Sequence, residues 1–337
     1  MGADAQSAKQ YISAGDEAVA KGECYNAAEY YRQGLEKYEF NLELQFKYAE
    51  SLRCFNDYKN AGDAYKKVVD GDVTKEYPLA VFWYASMLHY QGRYDPAVTQ
   101  FKKFLYRYKS KDYYSQKAQQ EIESCSWAKA NLKDDKTKII HLPDTINTPY
   151  SETNPFQSPD GHFLFSSLRN LNPPKKKENF LARIYVSDTN YSTSKILDIP
   201  LSDQSKNIAN GAYNSDRSKF YFTQCEPSAT DRSLLRCDIY MSRVLKKDSL
   251  SAAQKLDSII NMRDYTSTQP NIGKNERGEE TLYFVSDRPG GYGKTDIWMS
   301  RLINDTPQAP INLGKDINTI DEEFSPFYDS REGKLYF

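Results

Sequence analysis

The chain has little of what membrane-spanning and catalytic proteins need. Its longest apolar run, Val81 to Tyr90, is about half the ~18 residues of a spanning helix, so no transmembrane segment is expected. Histidine is scarce: His89, His141 and His162 stand apart without metal-ligand or Ser/Asp spacing, and Gly-x-Ser-x-Gly is absent. Charge excess is lacking too. Lys plus Arg number 45 against 46 Asp plus Glu, and neither half of the chain is a polycation, which excludes nucleic acid as the main partner. Five cysteines in 337 residues (Cys24, Cys54, Cys125, Cys225, Cys237) are too few for a disulfide scaffold, and the odd count leaves at least one unpaired within the chain. No C-x-x-C or Cys/His cluster exists, which removes zinc. Cys225 and Cys237 flank one expected hairpin loop and are either paired, in an oxidising compartment, or free and buried. These absences describe a chain with no metal, no cofactor and no catalytic residues. At the start, Ala3-Asp4-Ala5 before Gln6 has the form of a signal-peptidase site, on which reading the mature protein begins near Gln6 outside the cytoplasm.

What is present is repetition, with two periods that do not overlap. The first third repeats at 34 to 36 residues: Gly22 to Leu35 (GECYNAAEYYRQGL), Asn56 to Val69 (NDYKNAGDAYKKVV) and Gly92 to Leu105 (GRYDPAVTQFKKFL). Ala27, Ala61 and Ala97 recur, each followed four residues later by Tyr31, Tyr65 or Phe101. Gly15, Ala49 and Ala85 form a second column of small residues. Small residues let antiparallel helices approach closely, and the aromatic fills the space beside the next hairpin.

This grammar resembles the tetratricopeptide repeat (TPR) over residues 7 to 110, as three repeats, although the usual Trp of the first helix and the Pro at the repeat's end are missing. Asp112 to Lys133, carrying Ile122 and Trp127, is expected to cap the stack as one more amphipathic helix. In TPR proteins the first helices line a concave, peptide-gripping face. The resemblance places Asp16, Glu43, Phe46, Glu50, Arg53, Phe82, Ser86, His89 and Tyr90 there, as a partner-binding groove or simply as a solvated face.

After Asp135 the helical period gives way to short alternating strands. Four related segments begin at Asn154, Asn210, Gln269 and Glu323, and Phe165, Phe222, Phe284 and Phe337 end the same strand of each, spaced 57, 62 and 53 residues apart. A second strand recurs between them: Arg183 to Asp188, Asp238 to Arg243 and Asp296 to Arg301. The segment from Asp144 (DTINTPYSETNPFQSPDG) matches the one from Lys315 (KDINTIDEEFSPFYDSREG) at a distance of 171 residues. About 57 residues per four-stranded unit is one propeller blade, with turns at Pro159-Asp160-Gly161 and Glu332-Gly333.

These segments resemble the TolB-like, PD-type propeller repeat. Ser286, Arg288, Gly290, Gly291, Asp296, Ile297 and Trp298 match it best; Asn214-Ser215-Asp216 departs from its SPDG. The expected fold is multidomain, α plus all-β: a TPR α-solenoid over residues 1–135, then a partial, truncated β-propeller over residues 136–337 with three blades and the start of a fourth.

Other motifs point to structure. Gly290 to Thr295 (GGYGKT) lacks the earlier Gly of a phosphate loop, where Arg288 stands, and leads into a strand instead of a helix. Asp160, Asp216, Asp287, Arg288 and Asp296 recur at blade turns and fit turn caps and local pairs; the central channel is a minor ligand candidate. Pro173 to Lys177 (PPKKK) reads as a solvated protrusion. The 27 tyrosines fit packing positions.

The order TPR then TolB-like propeller resembles envelope proteins of the Bacteroidota, in which an OmpA-like, peptidoglycan-binding domain often follows, and which include components of type 9 secretion and gliding machinery. The resemblance implies a non-enzymatic scaffold, periplasmic and associated with the outer membrane, that links a membrane complex to the cell wall and binds envelope proteins through the TPR groove and the propeller face. It assigns peptidoglycan only to a domain absent from these 337 residues. Two other readings are the gating propeller of a prolyl-oligopeptidase-like peptidase, whose catalytic domain would lie downstream, and a TolB-like envelope adaptor.

Overall fold

A computed structural model describes residues 7–131, 138–158, 160–169, 181–201, 203, 205–228, 235–246, 249–274 and 277–337. The Ala3-Asp4-Ala5 segment, Pro159 and the Pro173 to Lys177 loop lie outside the described residues. The chain divides into two compact units, Met1–Thr137 and Lys138–Phe337.

Seven helices make the first unit: α1 (Ala8–Ala20), α2 (Cys24–Lys37), α3 (Leu42–Cys54), α4 (Tyr58–Gly71), α5 (Pro78–Tyr90), α6 (Tyr94–Arg107) and α7 (Tyr113–Ala130). Local chemistry sets their ends. Asn41 and Asp57 accept backbone N–H groups at the starts of α3 and α4, Pro78 opens α5, and Asp112 caps α7. The turn inside each of the three hairpins needs a left-handed residue, and Gly22, Asn56 and Gly92 supply it at φ of 76°, 66° and 72°.

Consecutive helices pack as antiparallel hairpins in an α-solenoid of the expected TPR-like kind. Ala27, Ala61, Ala97, Ala49 and Ala85 are wholly buried, and the aromatic column Tyr31, Tyr65 and Phe101 is buried with them. A Cβ at Gly15 would collide with the Tyr31 ring, which fixes why the smallest residue stands there. On α7, Ala118 and Cys125 bury against the third hairpin and Ile122 packs beside them, whereas Trp127 stays largely exposed.

The second unit is a series of antiparallel meanders. The first sheet runs β1 (Glu152–Gln157), β2 (Phe163–Ser167), β3 (Arg183–Ser187) and β4 (Ser194–Ile196); the second runs β5 (Asn207–Tyr213), β6 (Lys219–Pro227), β7 (Leu235–Arg243) and β8 (Gln254–Lys255). The third holds β9 (Ser267–Lys274), β10 (Glu280–Ser286), β11 (Asp296–Ile303) and β12 (Thr306–Pro307), with β13 (Ile311–Asn312) also pairing β11. A pair, β14 (Phe327–Asp329) and β15 (Lys334–Tyr336), follows. Among the described residues the sheets are separate, so the unit is not one continuous sheet.

Two expectations about these strands need correcting. Phe165, Phe222 and Phe284 lie inside β2, β6 and β10 instead of ending them, because pairing with the third strand continues past each, to Ser167, Pro227 and Ser286. Phe337 falls just beyond β15, whose last paired residue is Tyr336.

The repeat is also written in backbone geometry. Asn154, Asn210, Gln269 and Ser325, one in or just before the first strand of each sheet, adopt φ of 52°, 57°, 52° and 55°, and in the first three sheets this coincides with a register shift. Each such residue after the first reaches the preceding sheet. The Asn210 N–H donates to Ser166 Oγ at 2.8 Å, that of Gln269 to Thr223 Oγ1 at 3.1 Å, and that of Ser325 to Gln269 Oε1 at 2.5 Å.

Arginines finish the sheets. Arg288 lies over the Phe284 ring at 4.8 Å and donates to the carbonyls of Ile259 and Ile260 and to Ser286 and Ser267 hydroxyls, while burial pulls its pKa down to about 10. Arg169 repeats this two sheets earlier, over Phe165 and Tyr185 and against the carbonyls of Thr145 and Ile146.

Two disulfides, Cys24–Cys54 and Cys225–Cys237, join α2 to α3 and β6 to β7; Cys125 is free and buried. The second settles the alternative left open for Cys225 and Cys237. The first was hidden in the sequence, since its cysteines belong to successive repeats 30 residues apart.

Candidate partner-binding groove

The first helices of the repeats bring a recurring pair to the same side of the solenoid. Asp16 on α1 accepts the Tyr31 hydroxyl at 2.6 Å, and Glu50 on α3, 34 residues later, accepts the hydroxyl of Tyr65. A buried phenol needs an acceptor, and a carboxylate aimed from the neighbouring helix provides a charge-assisted one. Both tyrosines are consequently pushed far above the ordinary phenol range, by burial first and by the facing carboxylate second. In the third repeat the pair changes together, to Ser86 and Phe101, and no phenol has to be satisfied.

A cation closes each pair. Lys47 Nζ donates to Asp16 at 2.8 and 3.1 Å. Arg53 donates to Glu50 at 2.6 Å and to the Tyr65 oxygen at 3.1 Å, and its guanidinium lies 3.8 Å from the centre of the Trp83 ring. Burial acts to raise the Asp16 carboxyl, but hydrogen bonds from Lys47 and Tyr31 outweigh it and hold the group below its usual value.

Asp16, Glu43, Phe46, Glu50, Arg53 and Lys47 line a cavity of 570 Å3, completed in part by Val19 and Tyr77. Phe46 and Tyr77 face one another with ring centres 5.0 Å apart. Glu43 is exposed at the edge and has no hydrogen-bond or ion-pair partner among the described residues. The Cys24–Cys54 disulfide forms part of the same wall.

The third repeat does not contribute as its register suggests. Phe82 is buried among the rings of Trp83, Phe101, Phe104 and Tyr114, and Ser86 is buried with its hydroxyl donating to the Phe82 carbonyl at 3.1 Å. Neither reaches the groove. The reason is α7, which packs along α5. Its Tyr114 ring sits 5.3 Å from Phe82, and its Glu121 binds His89 Nδ1 and, at 2.8 Å, Lys117. His89 is thereby committed to the capping helix. Tyr90 is half exposed and packs on Tyr58 at 4.9 Å, outside the set that lines the cavity.

Lys47 and Tyr77 escaped the sequence reading. Lys47 sits one turn from both Glu43 and Glu50, a helical-face signal that was readable. Tyr77 precedes α5, where repeat register gives no guidance.

In the β unit the polar turn residues stay apart and serve the backbone. Asp287 accepts the Thr266 N–H at 2.6 Å, Asp216 that of Ser218 at 2.8 Å, and Asp296 those of Tyr292 and Gly293 at 2.6 and 3.0 Å. Asp160 pairs with Arg217 across sheets. The Gly290 to Thr295 segment is a hairpin connection between β10 and β11, its Lys294 N–H on the Asp321 carbonyl. A 590 Å3 cavity opens where first strands meet, between Phe156, Tyr213, Asn271 and Tyr328. Among the described residues no group of His, Cys, Asp and Glu is placed to hold a metal ion, and no helix is long and apolar enough to cross a membrane.

No family model and no curated protein matches the chain. Solved structures do. The first TPR of Spaghetti (RPAP3) bound to the HSP90 peptide SRMEEVD is 17% identical, covering 38% of this chain and 97% of that one at a TM-score of 0.33. The TPR2B domain of yeast Sti1 is 15% identical, covering 36% and 96% at 0.32. The Yersinia enterocolitica type III secretion chaperone SycD, in complex with a peptide of the translocator YopD, is 16% identical, covering 36% and 93% at 0.33.

Proposed function

We propose that the protein is a non-enzymatic interaction scaffold whose helical unit holds an extended segment of a partner protein. The observation that carries this reading is the groove. Its aromatic pair, Phe46 and Tyr77, offers flat apolar contact, while two internally neutralised ion pairs, Asp16 with Lys47 and Glu50 with Arg53, hold the walls rigid before a partner arrives. Glu43 is left to meet a basic or amide group of the partner.

The partners are envelope proteins, and the compartment is the bacterial periplasm beside the outer membrane, in the setting of type 9 secretion and gliding machinery. Two disulfides support that location, because such bonds persist in oxidising compartments. The β unit is a section of a TolB-like propeller offering a second docking face; separate meander sheets whose first strands hydrogen-bond from sheet to sheet support this.

The test is a pull-down from envelope extract with the intact chain and with a Phe46→Ala, Arg53→Ala, Tyr77→Ala variant. Loss of specific partners from the folded variant is expected. An unchanged set of bound proteins would reject the groove.

A further inference from the structure

The helical unit holds a second cavity, of 220 Å3, formed by the end of α4, the segment that follows it, the start of α5 and the end of α6. Val69, Pro78, Val81 and Phe104 give it apolar walls, and the Tyr108 ring, stacked on Phe104 at 4.5 Å, extends them. Three charged side chains, Asp72, Lys75 and Arg107, stand at its border. Asp72 is already occupied: its carboxylate accepts the N–H groups of Glu76 and Tyr77 at 3.0 and 2.9 Å and the Thr74 hydroxyl at 3.3 Å. Lys75 and Arg107 are exposed and pair with no described residue.

The preceding repeat has a hollow in the corresponding place, and its chemistry is different. Glu39, Lys67 and Asp70 mix both signs of charge there, and Leu42 leans on Gly71, where a Cβ would come within 2.8 Å of it. Moving 36 residues on, Leu42 becomes Pro78, Gln45 becomes Val81 and Gly71 becomes Arg107. Val81 puts an apolar wall where Gln45 carries an amide, and Arg107 gives the mouth a cation where Gly71 has no side chain. One position in the fold has thus changed from a mixed-charge hollow of 480 Å3 to a narrower chamber of 220 Å3, walled by Val69, Val81 and Phe104, with two cations at its border that pair with no described residue.

We infer that this chamber binds a small apolar carboxylate, with its ring or branched chain among Val69, Val81 and Phe104 and its carboxylate between Lys75 and Arg107. The size fits: an apolar cavity of about 150 Å3 accepts a benzene ring, so 220 Å3 takes an aryl acetate. The charge fits as well, since a guanidinium meets a carboxylate through paired, charge-assisted hydrogen bonds. Tyr77 is shared with the partner-binding groove, where it faces Phe46, so an occupied chamber braces one wall of the groove.

The experiment is titration of the full chain with phenylacetate and, separately, with phenylacetamide, followed by NMR and calorimetry. Saturable one-to-one binding of phenylacetate is expected, with shifts at Val69, Val81 and Phe104 and with the amide at least about tenfold weaker. Replacing both exposed cations, Lys75→Gln with Arg107→Gln, should weaken the acid by about tenfold and leave the amide unchanged; these surface changes do not put folding at risk. Val81→Phe, which fills the chamber, should remove both. Equal affinity for acid and amide, indifference to the loss of both cations, or no saturable shift at the chamber residues would overturn the inference.

Discussion

The groove is built from residues that satisfy each other before they meet a partner. Tyr65 gives its hydroxyl to Glu50, which also holds Arg53, so Tyr65→Phe strips one partner from a half-buried carboxylate. Equilibrium urea unfolding should show a loss of about 1–2 kcal/mol, and adding Glu50→Ser, which copies the third repeat, should recover part of it. Glu121 makes a similar argument with pH. Burial acts to raise its carboxyl, but hydrogen bonds from His89 and Lys117 outweigh this and hold it below the ordinary 4.5. A carboxyl lowered by folding contributes stability above its unfolded value, and that contribution disappears as pH falls through the folded value. The melting temperature of Glu121→Gln should therefore depend less on pH than that of the native chain in the acid range below about 4.5. Parallel curves would show that the buried cluster adds nothing.

At the scale of elements, the disulfide between α2 and α3 closes a loop within the first two repeats, and for a separation of 30 residues the chain-entropy cost of removing it is about 3.6 kcal/mol. Denaturing the protein without reductant should expose one reactive thiol, Cys125, and with reductant all five. In the native state none should react, because burial pushes the Cys125 thiol up to about 11. These elements were legible to different degrees. The columns Ala27, Ala61, Ala97 and Tyr31, Tyr65, Phe101 announced the hairpins, since close helix packing tolerates few residue types. Burial of Phe82 and Ser86 was not legible, because it depends on α7, whose register against α5 no repeat dictates. In the β strands, spacing located the sheets, but strand ends follow pairing partners, which period alone does not reveal. The Cys24–Cys54 bridge needed the three-dimensional meeting of two repeats.

Taken as one molecule, the chain places two repetitive units in series, each with its own core and its own disulfide. Among the described residues, both units use their polar side chains to finish the fold: Arg169 and Arg288 on backbone carbonyls, Asp296 on turn N–H groups, Lys219 on Asp305 between sheets. What remains open is surface: the cavity that α1 and α3 line in the helical unit, on which the proposed partner binding rests, and the one between first strands in the β unit. The most direct measurement places a photo-crosslinking amino acid at Phe46 inside the groove and, in a second protein, at exposed Lys66 on α4, and compares the adducts formed in the envelope. The account predicts a discrete partner adduct from position 46 that position 66 does not give. The same adducts from both positions, or none from position 46, would contradict it.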